Sequence, residues 1–331
     1  MIKQDKRATR GLAFLSALAM IALCGGASAA EKVRVALGDV LSVETLAAAI
    51  ALERAKDRGV DYEMTSFAKE QLAIQALVNG QMDIGIGTPY SVVQKAKVPL
   101  RNIFQMSRGV FFAVADMEKY PDWKSLDGEP FTFHGRGSGT EAIGNIIAKR
   151  EGISFGERNY VPGSENRIIA MINGQIGATI IDLANKNLLM SKAADRFHVL
   201  PGLSDPASDE LIFASADWLA ANQDTADIIV EEFLKLWREM NENPAIIEEE
   251  RAKRGLLADQ PKEILAEVVP FYTEGTKEGL FDPNGGGEKA AKSDFEFYTE
   301  AGQLEGPASE LMVEDYWDLG PLTRAAAKLG G

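Results

Sequence analysis

One cysteine, Cys24, and two histidines, His134 and His198, are all that the chain offers for thiol or soft-metal chemistry. With so few ligands there is no disulfide framework, no zinc cluster and no His-Glu-x-x-His pair. Gly135-x-Gly137 is followed by Thr140 where a dinucleotide fingerprint needs its third glycine, and no Lys follows to make a phosphate loop. Ser138 and Ser164 lack the Gly-x-Ser-x-Gly flanks of a nucleophile elbow. No enzymatic activity, cofactor or metal is expected. Positive charge is also scarce: 35 Lys and Arg stand against 49 Asp and Glu, a net of −14. That sign argues against nucleic acid and anionic membrane as partners. By itself it describes a solvated surface and identifies no ligand. The apolar run Leu12–Leu23 falls short of the ~20 residues a membrane-spanning helix needs.

That short run has a different meaning in its context. Lys3, Lys6, Arg7 and Arg10 precede it, and the small residues Ala27-Ser28-Ala29 follow it. Basic start, short apolar centre and Ala-x-Ala exit form a secretory signal over residues 1–29. An uncleaved anchor and a lipid anchor on Cys24 are the competing readings; bulky Leu23 before that Cys disfavours the second. Cleavage after Ala29 removes the cysteine, four basic residues and one acidic residue, leaving 31 against 48, a net of −17. The expected product is a soluble periplasmic monomer of about 300 residues, large enough for an ordinary core without disulfides.

Along the remaining chain, strand and helix patterns alternate. Val33–Leu37, Val60–Phe67 and Met82–Ile86 read as strands, separated by helical spacing over Val43–Lys56 and Gln71–Val78. This rhythm predicts an α/β fold with parallel sheets and ligand-binding loops at the C-terminal strand ends. One segment then repeats. Residues 76–82 read Ala-Leu-Val-Asn-Gly-Gln-Met and residues 170–176 read Ala-Met-Ile-Asn-Gly-Gln-Ile, 94 positions apart without a gap. Each is a helix closed by a left-handed Gly and turned directly into an apolar strand. A period of 94 is too long for a solenoid and predicts two lobes of one kind. The expected division is a first part of lobe 1 over 30–115, lobe 2 over 116–209, and a crossover back to lobe 1 with a helical tail over 210–331. The amphipathic stretch Asp227–Met240, with Phe233, Leu236 and Trp237, is expected to dock on lobe 1.

Ala76–Ile86, the Lys124–Gly128 entry to a second lobe, Ser138-Gly139-Thr140 opening a helix, and the second Ala-Met-Ile-Asn-Gly-Gln follow a familiar order. In these segments the chain resembles the nitrate/sulfonate/taurine-type substrate-binding proteins of ABC importers, a group related to thiamine-precursor binders. The resemblance implies a type II periplasmic-binding fold, two α/β lobes with a ligand cleft between them. It also implies closure on a small molecule and delivery to the membrane subunits of an ABC permease. A ligand-sensing subunit is the alternative role, and an enzyme on the same fold a lesser one.

The residues themselves point to three loops. Gly135–Thr140 leads into a helix, so Ser138 or Thr140 can cap it while Gly139 and free N–H groups face an anionic or polar ligand group. Arg136 is suited to a bidentate grip on a carboxylate or sulfonate. Thr88 reads as an N-cap with Pro89 in the first helical position, and Tyr90 as a ring for stacking on the ligand. The repeat sets Asp182 opposite Thr88, as a ligand for an amine or hydroxyl or as a helix cap. Asp39 and Ser42, after the first strand, complete the expected set, with Arg108 and Glu210 near the hinge. The ligand expected from this set is anionic or zwitterionic.

Overall fold

The computed structural model describes residues 32–201 and 207–330. The expected signal segment lies outside the described residues, as does part of the turn-rich stretch after Pro201. No helix among the described residues is long and apolar enough to cross a membrane.

Two five-stranded sheets carry the fold. The first contains β1 (Val33–Leu37), β2 (Tyr62–Ser66), β3 (Ile84–Gly87), β4 (Leu100–Arg108) and β10 (Ser208–Ser215), in the order β2-β1-β3-β10-β4. The second contains β5 (Phe111–Asp116), β6 (Phe131–Phe133), β7 (Arg158–Tyr160), β8 (Ala178–Asp182) and β9 (Phe197–Val199), in the order β7-β6-β8-β5-β9. The two orders match strand for strand. Each sheet has three parallel strands, then one antiparallel strand that the chain inserts immediately after leaving the other sheet. Phe111–Asp116, expected within the first lobe, therefore hydrogen-bonds in the second sheet, and β10 returns to the first. The periodicity of an apolar strand says that it is buried but not against which sheet. The two crossovers touch: Gly109 N donates to Ala207 O at 2.8 Å, and Arg108 is paired with Ser208.

Helices α1 (Leu46–Asp57), α2 (Glu70–Val78) and α3 (Tyr90–Ala96) connect strands of the first sheet, and α4 (Gly139–Glu151), α5 (Ser164–Ile172) and α6 (Leu183–Ala193) those of the second. The repeat is preserved bond for bond. At the end of α2, Asn79, Gly80 and Gln81 donate to the carbonyls of Gln75, Leu77 and Ala76; at the end of α5, Asn173, Gly174 and Gln175 donate to those of Ile169, Met171 and Ala170. Gly80 and Gly174 have φ of +70° and +73°, a region that a Cβ makes costly. After them β3 and β8 run as central parallel strands buried along their whole length.

The tail comprises α7 (Ala216–Ala221), α8 (Gln223–Glu242), α9 (Ile246–Arg254), α10 (Lys262–Leu265), α11 (Val268–Lys277), α12 (Gly287–Glu300), α13 (Val313–Tyr316) and α14 (Gly320–Lys328). The apolar stripe of α8 packs on the first sheet. Phe233 and Trp237 lie edge-on to Phe104 of β4, and Trp237 Nε1 donates to Met106 O at 2.8 Å. Helix α12 instead touches both sheets' elements. Its Asp294 binds the start of β10, while Glu300 pairs with Arg150 of α4 at 3.0 Å.

Candidate functional site

The loops after the parallel strands of both sheets come together, because parallel strands in each repeat end on the same side. Gln71 of α2 donates from Nε2 to Arg136 O at 2.9 Å, a direct bond between first-sheet and second-sheet elements.

After β1, Asp39 accepts the Val40 N–H at 2.7 Å, and Ser42 N donates to Thr45 Oγ1 at 3.0 Å, drawing the loop tight before α1. Ser42 stays half-buried at the rim. Burial and the neighbouring carboxylates of Glu165 and Asp182 raise the Asp39 carboxyl to about 6.

After β3 the expected arrangement changes. Thr88 does not cap α3, whose first residue is Tyr90; its N–H and hydroxyl both donate to Glu70 Oε1 at the start of α2. Tyr90 is 2% exposed and sits among Phe295, Tyr298 and Tyr316. Its hydroxyl donates to Asp294 Oδ2 at 2.6 Å and accepts from Trp317 Nε1 at 2.7 Å. Tyr90 is a core residue and cannot stack on a ligand. The sequence could not show this, because Tyr298 and Trp317, which enclose it, lie more than 200 residues away.

In the loop before α4, Ser138 occupies the cap position without capping: its hydroxyl donates to Gly135 O at 2.7 Å. Thr140 turns back to accept the His134 N–H at 2.9 Å. Glu141 reaches back instead, taking the Gly137 N–H at 2.6 Å and the Tyr160 hydroxyl at 2.5 Å. Gly139 opens the helix facing Asp209: a Cβ there would lie 3.6 Å from Asp209 Oδ1. Arg136 is exposed and rests its guanidinium 5.0 Å from the Tyr160 ring centre. Burial lowers His134 to about 4, helped by nearby Arg167.

Asp182 caps α6, accepting Asn185 N at 2.8 Å, and is 6% exposed. Arg108, at the first crossover, is paired with Asp282 of the tail, so it belongs to a structural ion pair.

The most consequential residues were not expected. Arg167 of α5 is 1% exposed, and its guanidinium donates to Ile180 O, Val161 O and Ser164 Oγ. It forms no ion pair within 4.0 Å among the described residues. Burial lowers it to about 10, although Asp182, Glu165, Asp39 and Glu44 all act in the opposite direction. Around it stands an excess of acid. Glu44, Asp209 and Glu210 are pushed well above the usual carboxyl range, first by burial and then by one another and by Asp39, Glu70 and Asp182. Glu70 is raised mainly by burial. The side chains of Glu44, Asp209 and Glu210 accept no hydrogen bond from the described residues. Acids from both halves of the chain thus influence one another's protonation, and among the described residues Arg167 is the one fully buried cation. The repeat offers one signal toward them. Glu70 and Ser164 are 94 positions apart, and each takes the N–H of the residue 18 positions on: Thr88, just past β3, and Asp182, the last of β8 (the latter at 3.4 Å). Extending the repeat backward from residue 76 leads to both helix starts.

A family model described as NMT1/THI5 like matches residues 50–247 of the 331. No curated protein matches the chain. Among solved structures, one from Bordetella bronchiseptica RB50 is 18% identical with a TM-score of 0.71, covering 91% of this chain and 98% of that one. The periplasmic nitrate-binding protein NrtA from Synechocystis PCC 6803 is 13% identical with a TM-score of 0.68, covering 91% and 90%. The ligand binding component of an ABC-type import system from Staphylococcus aureus is 13% identical with a TM-score of 0.65, covering 88% and 98%. At these identities the likeness establishes the periplasmic-binding fold.

Proposed function

The chain belongs to the NMT1/THI5-like family, and from that premise we propose that it is the extracytoplasmic solute-binding component of an ABC importer whose ligand carries positive charge. The two sheets with their helices act as lobes that close by rotation about the crossovers where Gly109 meets Ala207 and Arg108 pairs with Ser208. Closure is favoured only by a ligand that touches both lobes at once. The membrane subunits of a permease receive the closed form.

One observation supports the charge of the ligand: the carboxyls of Asp39, Glu44, Glu70, Asp209 and Glu210 are all raised, and Asp182 of β8 is among the carboxylates that raise Asp39, Glu44 and Asp209. Bringing these lobes together without a cation between them confines like charges in a space of low polarity, which is unfavourable. An ammonium or guanidinium group relieves that repulsion and satisfies carboxylates that lack donors. Buried Arg167, with no carboxylate partner, suits the negative end of a zwitterion. A purely anionic ligand, as Arg136 first suggested, meets the wrong field.

The test is thermal unfolding of the chain from residue 30 onward, with primary amines, guanidinium compounds and betaine-like zwitterions on one side and nitrate, sulfonates and simple carboxylates on the other. Binders raise the melting temperature progressively with concentration. Stabilisation by cations or zwitterions, lost at least tenfold in Asp209→Asn, supports the assignment. Stabilisation by nitrate or simple sulfonates alone overturns the charge while leaving the transport role. Recovery of every hit unaltered separates binding from catalysis.

A further inference from the structure

Beyond the ligand space lies a second buried acid whose surroundings have a distinct purpose. Asp294 of α12 is 0% exposed. Its Oδ1 accepts Ser208 N at 2.6 Å, and its Oδ2 accepts both Ser208 Oγ at 2.7 Å and Tyr90 Oη at 2.6 Å. Tyr298, one helical turn along, donates its hydroxyl to Ser208 O at 3.0 Å. Ser208 is the first residue of β10, where the chain comes back from the second sheet to the first, and it pairs with Arg108 beside the other crossover. Every polar atom of that residue is therefore held, and three of its bonds come from the tail helix. The same helix reaches α4 of the second sheet through Glu300 and Arg150, and Asn145 Nδ2 donates to Ala301 O at 3.3 Å. A relative movement of the two sheets must pass through this point.

The network has two hydrogen-bonding arrangements, each of which leaves one atom of the Gln105 amide idle. With Asp294 ionised, Gln105 Nε2 donates to Ser208 Oγ at 2.7 Å and Ser208 Oγ donates onward to Asp294. In this arrangement Gln105 Oε1 is buried without a partner. With a proton on Asp294 Oδ2 the direction reverses. Asp294 donates to Ser208 Oγ, and Ser208 Oγ donates to a Gln105 amide turned by half a revolution, which uses the idle oxygen and leaves the amide nitrogen idle in its place. Amide orientation is set by the network around it and not by shape, so the turn needs no repacking. Tyr90 Oη and Ser208 N remain donors to the carboxyl in both states.

We propose that Asp294 is a proton-operated latch on the second crossover: protonated, it holds Ser208 through a neutral chain suited to its dry site, and ionised, its buried charge loosens that hold. Charge assistance strengthens the bonds of the ionised form, but burying the carboxylate costs more, so the crossover is held harder in the protonated state. Burial raises the Asp294 carboxyl to about 7, placing the exchange between near-neutral and mildly acidic conditions. The titratable groups facing it are Tyr90 on α3 and Tyr298 on its own helix, with Asp209 next along β10. Glu70 and Asp209 act on Tyr298, and no Lys, Arg or His enters the balance at Asp294.

The experiment is a carboxyl carbon-13 titration of the whole secreted chain, paired with amide exchange of residues 208–215 between pH 5 and 9 and corrected for intrinsic rates. A carboxyl step near 7, matched by faster exchange at Ser208 above that midpoint, is expected. Asp294→Asn abolishes both. Tyr90→Phe removes one donor to the carboxylate and moves the midpoint upward. A carboxyl that titrates near 4, or that is silent across the range, overturns the latch, as does Ser208 exchange with no step where Asp294 titrates. The wild-type measurement decides the matter even if a variant does not fold, and no added ligand is involved. Its failure leaves the cation assignment untouched.

Discussion

Matched positions of the two repeats share a backbone and differ in chemistry. Each half closes its helix with Asn-Gly, turns into a buried strand and anchors that strand's end on the start of the preceding helix. On that common frame the first half sets Glu70 and Ala73, and the second sets Ser164 and Arg167, 94 positions on. The small residue becomes a guanidinium at the same place. Turn chemistry is dictated by backbone sterics and is free to recur, whereas the side chains at the helix starts can differ as long as each still holds the end of the next strand.

Removal of Arg167 tests that asymmetry most severely. Arg167→Ala leaves the Val161 and Ile180 carbonyls without donors and opens a cavity, a loss of about 3 kcal/mol or more in urea unfolding. Ala73→Gly, at the matching position, costs about 1 kcal/mol. Equal losses would show that the guanidinium is replaceable by water and is not part of the frame.

A pH series sharpens the contrast between matched strand ends. After β1, Asp39 is raised to about 6; after β6, His134 is lowered to about 4. A raised carboxyl keeps a proton that the unfolded chain releases, so its contribution is complete below about 4 and is lost as pH rises through its folded value. The depressed His works the other way, its contribution present above 6.5 and lost as pH falls toward 4. Between pH 8 and 6.5 only the carboxyls titrate, so stability rises on acidification, by ~1 kcal/mol or more. Thermal unfolding across that window checks the sign. Asp209→Asn is expected to flatten the slope, and a stability that falls toward pH 6.5 would contradict the acid assembly.

The gentlest test asks whether the frame is truly shared. Gly80→Ala and Gly174→Ala each force a Cβ into the left-handed region, at about 1 kcal/mol apiece. Neither added Cβ meets an atom closer than 3.5 Å, so the two losses should agree within a few tenths. A large difference would mean that one turn is strained by something other than its own backbone.

The repeat, the alternation of strand and helix, and the helix cap at Asp182 were legible because each depends on residues within a few positions of one another. Loops at the strand ends were legible for the same reason, and Asp39, Gly139 and Asp182 do lie at the meeting of the two halves. Thr88 was misread because Glu70, 18 residues earlier, accepts both its N–H and its hydroxyl, which turns the hydroxyl away from the donors of the helix N-terminus. Ser138 was misread because Gly135 O is nearer. Arg136 drew attention as the cation in a glycine-rich loop, yet it lies exposed on Tyr160 while the buried cation is Arg167. A helix with Glu165 and Arg167 in its first turns looks like any solvated helix until the strand it covers is known.

By itself the sequence determined the local vocabulary: which segments are strands, where helices must stop, and that one unit occurs twice. Those features follow from backbone sterics and apolar spacing, which act over short distances. Only the tertiary structure decided which sheet receives β5 and β10, which polar residues end up buried, and what charge the meeting loops present. Charge depends on which side chains are removed from water together, and that is settled by parts of the chain far apart in sequence.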